Sequence, residues 1–128
     1  MPRANVLFLT IVILAAVELI ASGCGGSPRQ LQSVSVSPAT ADAQSFPGGQ
    51  VQFTAVGTYS QPPSPSNLAQ AGWSLSDGNI ASISQNGLAQ CTAGESGVVS
   101  VMASVSGPCS GTNCTAVQIV GTAKLTCP

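Results

Sequence analysis

The chain is 128 residues long, with three Lys or Arg against four Asp or Glu, no His, and a formal net charge of −1. That length holds one domain of ordinary size and excludes two with separate cores. Three cations cannot cover a nucleic-acid backbone, so no nucleic-acid partner is expected, and the lack of His excludes imidazole catalysis and imidazole metal ligation. Aromatic residues make up only 4% of the chain, while Gly numbers 14 and Pro 9, a mix that predicts short strands of small residues broken by frequent turns.

Met1 to Asn5 contains Arg3 as a short positive segment, and Val6 to Val17 (VLFLTIVILAAV) is a nearly unbroken apolar run. Spanning a bilayer takes about 20 apolar residues. Glu18 interrupts the run before that, so residues 1–23 predict a signal peptide with its own helix rather than a membrane span. Ala21-Ser22-Gly23-Cys24 resembles the bacterial lipobox. The resemblance implies that Cys24 is lipidated, becomes the mature N-terminus and tethers the protein to a membrane through several acyl chains, which hold far more firmly than one. Gly25 stands where an Asp would favour inner-membrane retention, which implies the outer membrane in a two-membrane bacterium. Cleavage by ordinary signal peptidase near Gly23 would instead release a secreted protein. Residues 24–30 form the lipid-anchored tether, flexible through Gly25, Gly26, Ser27 and Pro28, and residues 31–128 form the folded domain.

From Leu31 the apolar residues recur with period two, the mark of a half-buried strand. Val34 and Val36 face inward, Ser33, Ser35 and Ser37 outward, and Pro38 ends the run. Gly48-Gly49 turns the chain into Gln50 to Tyr59, where Val51, Phe53, Ala55 and Tyr59 share a face. Gln61 to Asn67 (QPPSPSN) is a Pro-rich loop expected to supply no ladder hydrogen bonds. Gly72 to Ser76 places Trp73 and Leu75 inward, and Asp77-Gly78-Asn79 turns the chain to Ala81 and Ile83. Asn86-Gly87 leads to a strand over Leu88 to Ala93. In Gly97 to Ser106 the inward residues are Val99, Val101, Ala103 and Val105; in Ala116 to Cys127 they are Val117, Ile119, Ala123, Leu125 and Cys127. No stretch after Cys24 has a helical apolar period. About seven short strands in an all-β domain predict a two-sheet Greek-key sandwich, with a small barrel as the alternative.

Val34 to Pro38 (VSVSP), Gly49 to Tyr59 (GQVQFTAVGTY), Trp73 to Ser76 (WSLS), Ile80 to Ile83 (IASI), Gly87-Leu88 and Gly97 to Ala103 occur in the order found in group 2 bacterial immunoglobulin-like domains. The chain resembles that family over almost all of its mature length. The resemblance implies an extracytoplasmic immunoglobulin-like sandwich of the kind found in adhesins, in surface-layer proteins and as spacers beside carbohydrate-active enzymes.

Five cysteines less Cys24 leave Cys91, Cys109, Cys114 and Cys127, with three possible pairings. Export to an oxidising compartment and the absence of a C-x-x-C pair favour disulfides over a zinc site. Cys91 and Cys127 lie on the inward phase of their strands, and Cys109 and Cys114 bracket a hairpin tip, so the expected bonds are Cys91–Cys127 and Cys109–Cys114.

Acid–base chemistry is nearly absent after the tether begins: Asp42, Asp77 and Glu95 are the acids, with Arg29 and Lys124 as the bases. No two carboxylates are close in sequence, and no His or nearby Lys stands ready to activate a Ser or Thr. The expectation is a non-enzymatic module with no catalytic residue, no metal and no cofactor. Its partners are expected to be the membrane, through lipid at Cys24, and a surface protein or polysaccharide. A carbohydrate-binding or adhesive role is the alternative, and Tyr59, ahead of the Pro-rich loop, is the candidate ligand-contacting aromatic.

Overall fold

Small apolar side chains alternate with Ser, Thr and Gln along most of the chain, and this pattern gives each strand one face to bury and one to hydrate. A computed structural model describes residues 27–107 and 116–128. The predicted signal peptide, Cys24 and the loop with Cys109 and Cys114 lie outside the described residues. Ten strands follow in chain order: β1 (Leu31–Ser37), β2 (Thr40–Asp42), β3 (Gln50–Gln52), β4 (Thr54–Tyr59), β5 (Ser66–Asn67), β6 (Gly72–Leu75), β7 (Ala81–Ile83), β8 (Leu88–Cys91), β9 (Gly97–Ser106) and β10 (Gln118–Cys127).

They form a sandwich-like all-β arrangement of three sheets, with orders β1-β4-β5, β2-β10-β9-β6 and β3-β8-β7. Every pairing is antiparallel except β2 with β10, which run parallel over Thr40–Asp42 and Lys124–Thr126. The inward residues form one cluster drawn from all three sheets, including Val34, Val36, Val51, Phe53, Ala55, Ala81, Ala89, Val99, Val101, Ala103, Ala123 and Leu125. Its largest fully buried side chains are Phe53 and Leu125. β1 lies directly against β10: a Cβ on Gly121 would stand 2.6 Å from the Val34 carbonyl oxygen, so the two backbones meet at a distance that only Gly allows.

Several expectations need correction. Gln50 to Tyr59 is two strands in two sheets. At Phe53 the N–H leaves the ladder and donates to the Gly87 carbonyl at 2.8 Å, and the neighbouring strand changes from β8 to β5. The Pro-rich loop does supply a rung, because Ser66 and Asn67, past the last proline, pair with Gly57 and Val56. β2 and the 3₁₀ turns at Ala43–Ser45 and Pro47–Gly49 have no counterpart in the alternation of the sequence. The strand beginning at Leu88 stops at Cys91. Val117 is 70% exposed, because it precedes the first β9–β10 pair, Gln118 with Ser106, and no opposing sheet covers it. No helix among the described residues is long and apolar enough to cross a membrane.

Candidate functional site

Two places gather aromatic and polar groups. The first is at the start of β1. Leu31, Tyr59 and Leu68 close over Gly57, where a Cβ would meet all three side chains between 2.7 and 3.1 Å. This seats the Tyr59 ring half-buried rather than standing free. Arg29 covers it, with the guanidinium carbon 3.4 Å from the ring centroid, a cation–π contact. The same guanidinium donates from Nε to the Gln61 carbonyl at 3.3 Å and from a terminal nitrogen to the Pro63 carbonyl. Around it, the Ser60 N–H donates to the Gln30 carbonyl at 2.9 Å and the Gln30 N–H donates to Ser60 Oγ at 3.0 Å. The Tyr59 N–H donates to Ser64 Oγ at 2.9 Å. Residues 29–30 are thereby stitched to the Pro-rich loop, and the Tyr59 face proposed for a ligand is already occupied by Arg29.

The second place is the gap that opens where the partner of the Gln50–Tyr59 segment changes. β8 begins at Leu88 on one side of Phe53 and Leu68 follows β5 on the other, its N–H donating to the Ala55 carbonyl at 2.9 Å. Between them lies a cleft of about 270 Å³ bounded by Gln52, Phe53, Asn67, Leu68, Trp73 and Asn86. A second cleft of about 430 Å³ shares Trp73 and Asn86 and adds Gln70, Ile83, Ser84 and Gln85. Trp73 thus divides two clefts rimmed by amides and a hydroxyl. Its ring is held in place by Gly87, where φ is +80° and a Cβ would come within 2.8 Å of the indole and 2.5 Å of the Phe53 carbonyl. Gln52 Nε2 closes the rim by donating to the Asn86 carbonyl at 2.7 Å. Trp73 is half-buried and packs on the core as its inward phase requires, yet it also reaches both clefts. Alternation within a strand predicts which face Trp73 takes. It does not register the partner change at Phe53 that uncovers it.

The acids serve turns. Asp77 accepts from the Asn79 N–H at 2.8 Å, and Asp42 accepts from the Gln44 N–H at 3.0 Å to cap the first 3₁₀ turn. Glu95 sits exposed in the connection from β8 to β9. Among the described residues, no three His, Cys, Asp or Glu side chains gather closely enough to hold a metal ion. Cys91, at the end of β8, and Cys127, at the end of β10, are joined by a disulfide with Cα atoms 5.7 Å apart. This is the pair that strand phase suggested. Cys24, Cys109 and Cys114 lie outside the described residues. Compared with known proteins, the chain matches no family model and no curated protein.

Proposed function

We propose that the chain is a lipid-anchored, extracytoplasmic immunoglobulin-like domain that works without catalysis as an interaction or spacer module of a bacterial cell envelope, most naturally at an outer membrane. The observation that carries this reading is the Cys91–Cys127 disulfide. It ties β8 to β10, strands of different sheets, and disulfides of this kind persist in oxidising compartments outside the cytoplasm. The strand order supports the fold. With β3 and β4 taken as one strand bent at Phe53, β1, β4/β3, β8 and β7 would form one layer and β2, β10, β9 and β6 the other, the order expected of an immunoglobulin-like Greek key. The outward faces of β1 and β10 present Ser33, Ser35, Ser37, Thr122 and Thr126, hydroxyls broken by one charge, Lys124, a largely neutral polar surface suited to a spacer.

Metabolic labelling with a fatty acid tests the anchor. The wild-type chain should incorporate label and partition with membranes, and Cys24→Ala should lose both. Unchanged incorporation in that variant would refute the assignment of the anchor to Cys24.

A second reading, a carbohydrate-binding module, is favoured by the placement of Trp73 between two amide-rimmed clefts. An uncharged sugar chain could lay its apolar ring face on the indole and bond the amides. Titrating uncharged envelope polysaccharide should then shift the fluorescence of the single Trp saturably. A flat titration would remove this second reading.

A further inference from the structure

Only Gly25, Gly26, Ser27 and Pro28 stand between Cys24 and Arg29. Even fully extended, that span places the Arg29 Cα no more than about 18 Å from the Cys24 Cα. Arg29 is fixed to the domain by Tyr59 and by the carbonyls of Gln61 and Pro63, so the tether cannot lengthen by peeling away without breaking those contacts.

Strand register shows what else lies at this end. β1 starts here with Leu31 opposite Tyr59. β2 follows β1 past Pro38 and runs parallel to the last part of β10, so β10 starts at the Tyr59 end and finishes at the far end with Cys127 opposite Gly97. Val117, 70% exposed, is therefore at the Arg29 end, and the Thr92–Ser96 connection is at the other. Ten-residue strands such as β9 and β10 separate the two ends by about 33 Å.

Charge follows the same axis. Arg29 is at the near end. All three carboxylates after Cys24 belong to the far half: Asp42 is paired beside Thr126, Glu95 lies between β8 and β9, and Asp77 follows Ser76, whose N–H donates to the Ser100 carbonyl.

Resting on the lipid anchor proposed above, we infer that the Arg29 end is a membrane-facing foot, with Arg29, Tyr59, the loop of Gln61 to Pro65 and Val117 seated on phospholipid headgroups. A guanidinium exposed above the loop matches the headgroup phosphate, and a phenol with prolines and a valine suits the wet, partly apolar boundary layer. The far half carries the three carboxylates against one cation, Lys124 opposite Ser100, and so keeps a net negative charge that an anionic surface repels. Tethering and electrostatics therefore impose the same orientation, with β10 running away from the bilayer.

Energy transfer to headgroup-labelled lipid tests the orientation. The acylated full chain is reconstituted in vesicles of phosphatidylethanolamine and phosphatidylglycerol that contain a dansyl headgroup lipid. Gln61→Trp and Ser96→Trp are compared, with the transfer from Trp73 in the parent subtracted. Transfer should be at least threefold stronger from position 61 than from position 96, and Arg29→Glu should reduce the position-61 signal on these anionic vesicles. Equal transfer from both ends in protein that carries acyl label would overturn the foot and leave the anchor standing. Absence of acyl label on wild-type protein would remove the anchor and the foot together.

Discussion

Changing both Cys91 and Cys127 to Ala is expected to lower the unfolding free energy by about 4 kcal/mol. The bond closes a loop with a sequence separation of 36, and chain entropy assigns a closure of that length about this much constraint on the unfolded chain. Domains of this size have only about 5–15 kcal/mol in all, so the variant should be marginally folded at 25 °C. The geometry adds to the effect. Cys127 is buried and ends one of the two longest strands, Cys91 ends β8, and without the bond only the run of the chain through β9 joins the β3-β8-β7 sheet to β10. Urea melts under non-reducing conditions would measure the loss. Reduction of the wild-type protein should reproduce most of it, and a shift below about 1 kcal/mol in both would show that the loop-closure argument does not apply here.

Phe53→Ala should cost about 3–5 kcal/mol, the usual range for emptying a buried aromatic site. Phe53 is only 1% exposed and sits where the chain leaves one sheet for another. Its N–H and carbonyl are both engaged, by the Gly87 carbonyl and by Gln52 Nε2, so the backbone cannot readily collapse into the space left behind. The variant should also widen the neighbouring cleft and expose Trp73, which a red shift in tryptophan emission would report. Val120→Ala, at a site 47% exposed, serves as the control and should change the melt little. A Phe53→Ala protein as stable as that control would show that the bend at Phe53 does not depend on its side chain.

Periodicity carried much of the fold. Val34 and Val36, Val99 to Ala103, and Ala123 to Cys127 face inward as alternation requires, because each lies in a strand long enough to repeat. It was silent where a strand has too few residues to repeat. β2 has one buried residue, Ala41, and β5 is a two-residue strand, so neither carries a period. Alternation also does not mark where a partner ends. Val117 continues the pattern of β10 after the opposing cover has stopped, and Phe53 keeps its inward phase while the sheet around it changes. For the candidate site, residue types point to Tyr59 alone, and strand phase assigns Trp73 to the core. The hand that Arg29 lays on Tyr59 crosses 30 positions of sequence, and no local pattern encodes it.

The shortness of β2, β3, β5, β6 and β7 has a consequence for crowding. Every sheet border formed by these strands offers a neighbouring molecule between two and four residues of ladder, too few to template a stable intermolecular ribbon. The one longer border strand, β1, ends at Ser37, just before Pro38, and is shielded where Gly121 of β10 presses on Val34. A chain rich in Val, Ser and Thr and poor in charge would otherwise be prone to fibrillar association. Among the described residues, the borders at β2, β5, β6 and β7 each give such association only a short ladder to start from.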